Sequence, residues 1–295
     1  MTLQVPMVFD PIAQKRNRAR AANAFHKYSF LKEEAVKRIV DRIDIIRRDF
    51  ELCLDIGAHD GQLFDRLRSL NKIRKLIQSD PVEAFKISKK QPFVVHNFNI
   101  LPFKESSFDA IFSSLNFHAV DDLPGLMSQI RFLLKPDGLC LVNFFGGNSL
   151  FELRAALAEA ESEIVGGSNI RCMPMADIRD VGALIGRAGL SLPVADSDRL
   201  TVSYPNMFSL MADLRGMGEQ NATLGRTRRP TRRSIFLLAA EIYQKRFSLP
   251  NGKIPASFEI ITLTGWAPHK SQQKPLRPGE GDKNLADFFD ENNRD

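Results

Sequence analysis

Residues 54–63 read LDIGAHDGQL. The stretch ends an apolar run, FELCLDIG, and opens a helical one, DGQLFDRLRSL. A buried strand, a tight turn and a helix in that order begin a nucleotide-binding loop on a parallel sheet. Asp55, Gly57 and Gly61 stand where such a loop needs an acid and two flexible corners, but the middle of the expected glycine triad is His59. Glycine serves positive φ and close backbone approach, and histidine is among the other residues that tolerate left-handed geometry. The turn is therefore expected to survive and hold a ligand, with the His59 ring facing solvent or reaching the ligand's carboxylate.

Working outward, the periodicity alternates. FLKEEAVKRIVDRIDIIRR (30–48) spaces Leu31, Ala35, Ile39, Ile43 and Ile46 as one helix face. IRKLIQSD is a second strand ending in Asp80, PFVVHNFN a third, SFDAIFSSLNF a fourth and LCLVNFF a fifth. DDLPGLMSQIRFLL is a helix and KPDG a turn. This alternation predicts an α/β fold, a Rossmann-like doubly wound sheet. Beyond Gly147 come helices at LFELRAALAEAESEI, DIRDVGALIGRAGL, NMFSLMADLRGM and RSIFLLAAEIYQKRF. A strand at DRLTVSY and a long last one at SFEIITLTGWA complete about seven, the last antiparallel and closing the sheet. The expected organisation is an N-terminal basic arm and helix (1–48), a core domain (49–267) with extra helices at 148–250, and a disordered tail (268–295).

The 295 residues, 43% hydrophobic and 26% charged, suit a globular chain. Cys53, Cys140 and Cys172 are isolated, which disfavours a disulfide framework or a zinc site and fits a reducing compartment. No apolar run is long enough to span a bilayer. Pro6 and Pro11 are expected to break the amphipathic helix of a mitochondrial presequence. The net charge of +6 concentrates in KRNRAR (15–20) and RTRRPTRR (226–233). Each cluster is either a solvated face or a contact for an acidic protein surface, anionic lipid or nucleic acid. No RNA- or DNA-binding motif supports the last.

Ligands of such sheets lie outside the carboxyl ends of the strands. Asp55 and Gly57 follow strand one, Asp80 ends strand two, Asn97 and Phe98 end strand three, and Ser114 and Leu115 end strand four. An ionised Asp80 accepts from both hydroxyls of a ribose. Asp60 puts negative charge at the loop, against a pyrophosphate and for a nucleoside ligand carrying an amine. His118, just past strand four, is the candidate catalytic base or else a structural histidine. Tyr204 and Trp266 line a substrate pocket or belong to the core. The five histidines form no H-x-D pair of an iron triad; HAVDD reads better as a helix start, and no metal site is assigned.

These segments together resemble the class I S-adenosylmethionine-dependent methyltransferases: LDIGAHDG their first motif, SDP with Asp80 their ribose acid, NFNILPFKESSFDAIFSSL their third and fourth strands, and LLKPDG the turn before the fifth. FGGNSLFELRAAL, DIRDVGALIGRAGL, VSYPNMFSLMADLRGMGEQN and PASFEIITLTGWAPHKSQQKPLRPG are similar to the complex I assembly factor 5 family, with biotin-synthesis malonyl-carrier methyltransferases as more distant relatives. The resemblance implies S-adenosylmethionine as cofactor and a protein partner, a subunit of respiratory complex I, modified by methyl transfer or arginine hydroxylation. It also implies a cytoplasmic location in a bacterium, or the mitochondrial matrix in a eukaryote. His59 and Asn97 depart from the superfamily's glycine and aspartate; an amide oxygen still accepts from adenine's amino group, so neither closes the site. An assembly chaperone with a vestigial cofactor site, and a small-molecule or RNA methyltransferase, stay open. Peripheral membrane association and oligomeric state are open too.

Overall fold

The computed structural model describes residues 6–86 and 91–273. Strands β1 (Phe50–Ile56), β2 (Ile73–Asp80), β3 (Phe93–Val95), β4 (Phe108–Ser114) and β5 (Leu134–Phe145) run parallel. With β6 (Ser191–Tyr204) and β7 (Ile254–Trp266) they form one sheet in the order β3-β2-β1-β4-β5-β7-β6. The order reverses between β1 and β4, and that switch point opens the ligand crevice of a doubly wound sheet. β7 is antiparallel to both its neighbours. It enters between β5 and β6, so the edge belongs to β6 rather than to the last strand in the chain. KPDG is a bulge inside β5: Phe108 faces Leu134 while Ala110 already faces Leu139.

Both faces of the parallel strands are covered, which is why β1 is apolar at consecutive positions rather than alternate ones. Helix α1 (Pro11–Ala22) precedes α2 (Phe30–Ile45), whose Val36, Ile39 and Ile43 pack on Phe50, Cys53 and Leu139 together with Leu63 and Leu67 of α3 (Gln62–Leu67). On the other face α4 (Leu123–Leu133) sets Leu126, Met127 and Ile130 against Leu54, Ile111 and Val142. Each such side chain contributes about 1.5–3 kcal/mol on full burial. The helix α6 (Ile178–Arg187) extends this layer with Val181 and Ile185. The helices α5 (Phe151–Val165), α7 (Met207–Met217) and α8 (Arg233–Phe247) form a third cluster over the end of β5 and β7.

Pro11 does not break the arm. It stands in the first turn of α1, where its missing N–H costs nothing, and Asp10 caps the helix by accepting from Ile12 and Ala13. The arm lies across the ligand end of the sheet. Val8 and Phe9 donate to Asp121 Oδ1, Gln14 donates to the Ala119 carbonyl, and Phe9 bridges Thr223. Most of the tail from residue 268 lies outside the described residues.

Candidate functional site

The loop between β1 and α3 is held by its own backbone. Gly57 has φ +76°, His59 +50° and Gly61 +78°, so the three residues spaced as a glycine triad all take positive φ. The Gly57 amide donates to the Ser79 carbonyl at 2.7 Å, and its carbonyl accepts from Asn116 Nδ2 at 2.9 Å and Lys32 Nζ at 3.2 Å. A Cβ on Gly57 would run into the Asn116 carboxamide, so the position needs glycine twice over.

The His59 ring neither faces solvent nor points along the crevice. It is buried, stacks on Phe25 with centroids 4.8 Å apart, and meets Phe85 edge-on at 5.2 Å. Burial, then the nearby charges of Arg18 and Lys32, hold its pKa well below the usual histidine range. A neutral ring at positive φ thus replaces glycine because an aromatic pocket receives it. Its backbone N–H reaches Asp80 Oδ2 at 3.2 Å.

Asp80 is fully buried, and its oxygens are engaged. Oδ1 accepts from the Val82 amide at 3.0 Å; Oδ2 holds His59 N–H and, at 2.5 Å, Arg18 Nη2. The Arg18 guanidinium also donates to Asn116 Oδ1 at 3.0 Å and lies 5.6 Å and 5.9 Å from the Phe85 and Phe98 ring centroids. The basic cluster of the arm therefore divides by helical phase. Arg18 turns inward, while Lys15, Arg16 and Arg20 are exposed.

Behind the loop, Lys32 is buried and donates to the Ser114 carbonyl at 2.7 Å. Desolvation brings its pKa down to about 8 against the pull of Asp55, Asp60 and Asp80. Desolvation pushes Asp55 up to about 7, opposed by Lys32. Neither Asp55 oxygen finds a hydrogen-bond partner. Burial also raises Asp60.

Of the remaining candidates, Asn97 and Phe98 line a cleft of about 670 Å³ between α1 and the β3 end, together with Arg18 and Pro81. Asn97 Oδ1 accepts from the Asn99 and Ile100 amides of its own loop. Ser114 and Leu115 (φ +52°) are buried beside the loop. Asp122 caps α4 through the Gly125 amide, as a helix start should. His118 Nε2 lies 2.9 Å from Glu219 Oε2, and its ring packs 5.0 Å from Phe145. Tyr204 belongs to the helical core cluster, and Trp266 pairs with Leu139 at the far end of β5.

A second cavity, of about 280 Å³, lies in the helical half among α5, α7, α8 and the 170–175 segment. Leu153, Met211, Phe236 and Phe258 contribute to its walls. Glu219 lines it and also two small voids, one beside Lys32 and His59, the other beside Asn116 and His118. Arg18, Lys32 and Glu219 were not among the sequence candidates. Lys32 had a signal, since it shares a helix face with Val36, Ile39 and Ile43. Glu219 had none, because its neighbours come from distant segments.

Among the described residues no three His, Cys, Asp or Glu side chains converge as a metal-ligand set, and no helix is long and apolar enough to cross a membrane. The three cysteines are free.

Comparison with known proteins places these features. A methyltransferase-domain family matches residues 54–142. The Rattus norvegicus protein named arginine-hydroxylase NDUFAF5, mitochondrial, is 40% identical over 267 residues, covering 89% of this chain and 77% of its own. A malonyl-[acyl-carrier protein] O-methyltransferase of Xylella fastidiosa is 30% identical over 270 residues, covering 88% and 89%. A putative methyltransferase of Bacillus halodurans shares the fold at a TM-score of 0.54 and 15% identity, over 82% of this chain and 100% of that one.

Proposed function

Because the chain belongs to the arginine-hydroxylase NDUFAF5 family of methyltransferase-fold proteins, we propose that it binds S-adenosylmethionine at the switch-point loop and modifies an arginine of a protein partner during assembly of respiratory complex I. The observation that carries this reading is the extent of the match, which runs through both the loop and the helical half that holds the second cavity. It works in the bacterial cytoplasm, or in the mitochondrial matrix if the chain is eukaryotic.

The donor set fits such a cofactor. Asp80 is a buried carboxylate at the ribose position, and Phe98 and Asn97 border the cleft beside it. Asp55, whose two buried oxygens have no hydrogen-bond partner, offers an acceptor that suits an amine. When bound, S-adenosylmethionine supplies an electrophilic methyl group on a sulfonium. This chain's own part is to open and orient. Arg18 occupies the Asp80 oxygen that a ribose hydroxyl needs, so the arm must release it for the ribose to bind. Lys32 ties Gly57 to Ser114 and holds the loop closed from behind.

Two further readings have specific support. The methyltransferase domain favours methyl transfer to the arginine. The engagement of Asp80 by Arg18 favours a non-catalytic chaperone. The test is to capture partners with the full chain and compare the captured subunits by mass spectrometry from cells with and without it. An arginine that gains one oxygen supports hydroxylation, and one that gains a methyl group supports methyl transfer. Capture with no chain-dependent modification overturns both in favour of the chaperone.

A further inference from the structure

The second cavity has the shape and chemistry of a side-chain receptor. Its walls are apolar at Leu150, Leu153, Met173, Met211, Phe236 and Phe258. Three arginines also border it, but two are already paired: Arg171 with Glu161, and Arg226 with Asp10. The third, Arg215, is exposed on the last turn of α7, where water screens it. Glu219 is the one carboxylate among the lining residues. It stands where this cavity meets the two voids beside the cofactor loop.

The Glu219 head group is held in place. Its backbone N–H donates to the Leu214 carbonyl at 2.9 Å just after Gly218 turns left-handed at the end of α7. His118 Nε2 lies 2.9 Å from Oε2, while Oε1 accepts no hydrogen bond from the described residues. A fixed carboxylate on the wall of a largely apolar chamber suits a cation on an aliphatic stem, because the stem gains burial while the head is neutralised. A guanidinium fits better than an ammonium, since its planar fork matches a carboxylate and is more weakly hydrated.

We propose that Glu219 is the substrate-recognition residue of this protein, and that the chamber takes an arginine side chain of the partner with its guanidinium on Glu219. The proposal rests on the reading of the chain as an arginine-modifying protein and adds the place where the arginine sits. His118 is a positioning residue: with Nε2 protonated it donates to Oε2 and leaves Oε1 for the substrate.

The test uses the full chain and three small probes followed by ligand-observed NMR: Nα-acetyl-arginine methylamide, its neutral isostere Nα-acetyl-citrulline methylamide, and Nα-acetyl-glutamate methylamide. The arginine probe should bind at least about tenfold more tightly than the citrulline probe. Glu219→Gln, which keeps the size, should remove that preference without changing S-adenosylmethionine affinity. Met211→Trp, which fills the chamber and leaves Glu219 intact, should lose arginine binding; it serves if Glu219→Gln does not fold. His118→Gln, whose amide still reaches Glu219, should retain more of the preference than His118→Ala. Equal binding of arginine and citrulline by the wild type, or tighter binding of the glutamate probe, would overturn the assignment. The two readings fail separately. Absence of any modified arginine on captured partners defeats the functional reading, whereas modification that survives Glu219→Gln defeats only the placement of the substrate.

Discussion

Glu219 lines both the helical chamber and the small voids beside the switch-point loop, and the two regions are built on opposite terms. At the switch-point loop two groups are fully engaged: Gly57 takes three donors on its carbonyl, and Asp80 is bonded at both oxygens. A ligand that binds at Asp80 exchanges one partner for another. In the chamber the walls are largely apolar side chains drawn from helices and the segments between them, with one carboxylate, Glu219, among them. Binding there is governed by space and by the one carboxylate, since two of the bordering arginines are already paired and the third is exposed. The difference teaches that the first site is tuned by competition with the arm and the second by shape.

The largest test of this contrast is Asp80→Ala. Two charge-assisted hydrogen bonds at about 1.5–3 kcal/mol each make the expected loss of S-adenosylmethionine affinity on the order of a hundredfold or more. Calorimetry measures it, and an unchanged constant would take Asp80 out of the site.

Arg18→Ala should move stability and affinity in opposite directions. It leaves Asp80 buried without its cation and should cost about 3 kcal/mol, the low end for a broken buried pair because Arg18 keeps some contact with water. It also removes the competitor for the ribose, so cofactor affinity should rise by roughly tenfold, the equivalent of one modest hydrogen bond. Urea titration and calorimetry on one preparation separate the two. Affinity that falls instead would make Arg18 part of the binding surface rather than its occupant.

A smaller effect should appear with pH. Folded Asp55 keeps its proton up to about pH 7, whereas an unfolded aspartate loses it near its ordinary value of 3.8. Between those values the native state binds more protons, so stability should decline as pH rises through the window. Lys32 acts in the opposite sense higher up: its folded value is about 8 against 10.5, so its contribution should recover stability above pH 8. Urea midpoints at pH 5 and 7 should differ less in Asp55→Asn than in the wild type. An unchanged difference would show that Asp55 is ionised throughout.

The smallest effect on the fold belongs to the second basic cluster. Arg228, Arg229, Arg232 and Arg233 are exposed, so replacing all four with Ser should leave cofactor affinity unchanged and stability shifted by about 0.5 kcal/mol or less per site. Association with the captured partner should slow at low salt, with the gap closing at high salt. Equal rates at low salt would show a merely solvated loop.

Read along the chain, the two clusters look alike, yet Arg18 reaches the buried Asp80 while Arg228, Arg229, Arg232 and Arg233 stay in water. Helical phase explains the difference: Pro11 starts a helix and places Arg18 on the face it turns toward the sheet. The first cluster was legible as charge, and its inward arginine was not, because Pro11 read as a breaker when it is a first-turn residue. His59 shows the same limit. Its left-handed backbone followed from the spacing of Gly57 and Gly61, but the ring's place depends on Phe25 and Phe85, 34 and 26 residues away (59 − 25 and 85 − 59).

Sequence by itself determined the alternation of strand and helix, the switch-point loop and the acid at the end of β2. Those features rest on apolar periodicity and on backbone geometry within a few residues. Tertiary structure alone decided that Arg18 meets Asp80, that β7 slips between β5 and β6, and that His118 meets Glu219 across 101 residues. Such contacts carry no local signal. A buried charge is tolerated only where folding brings its partner, and the partner's identity depends on how whole elements pack.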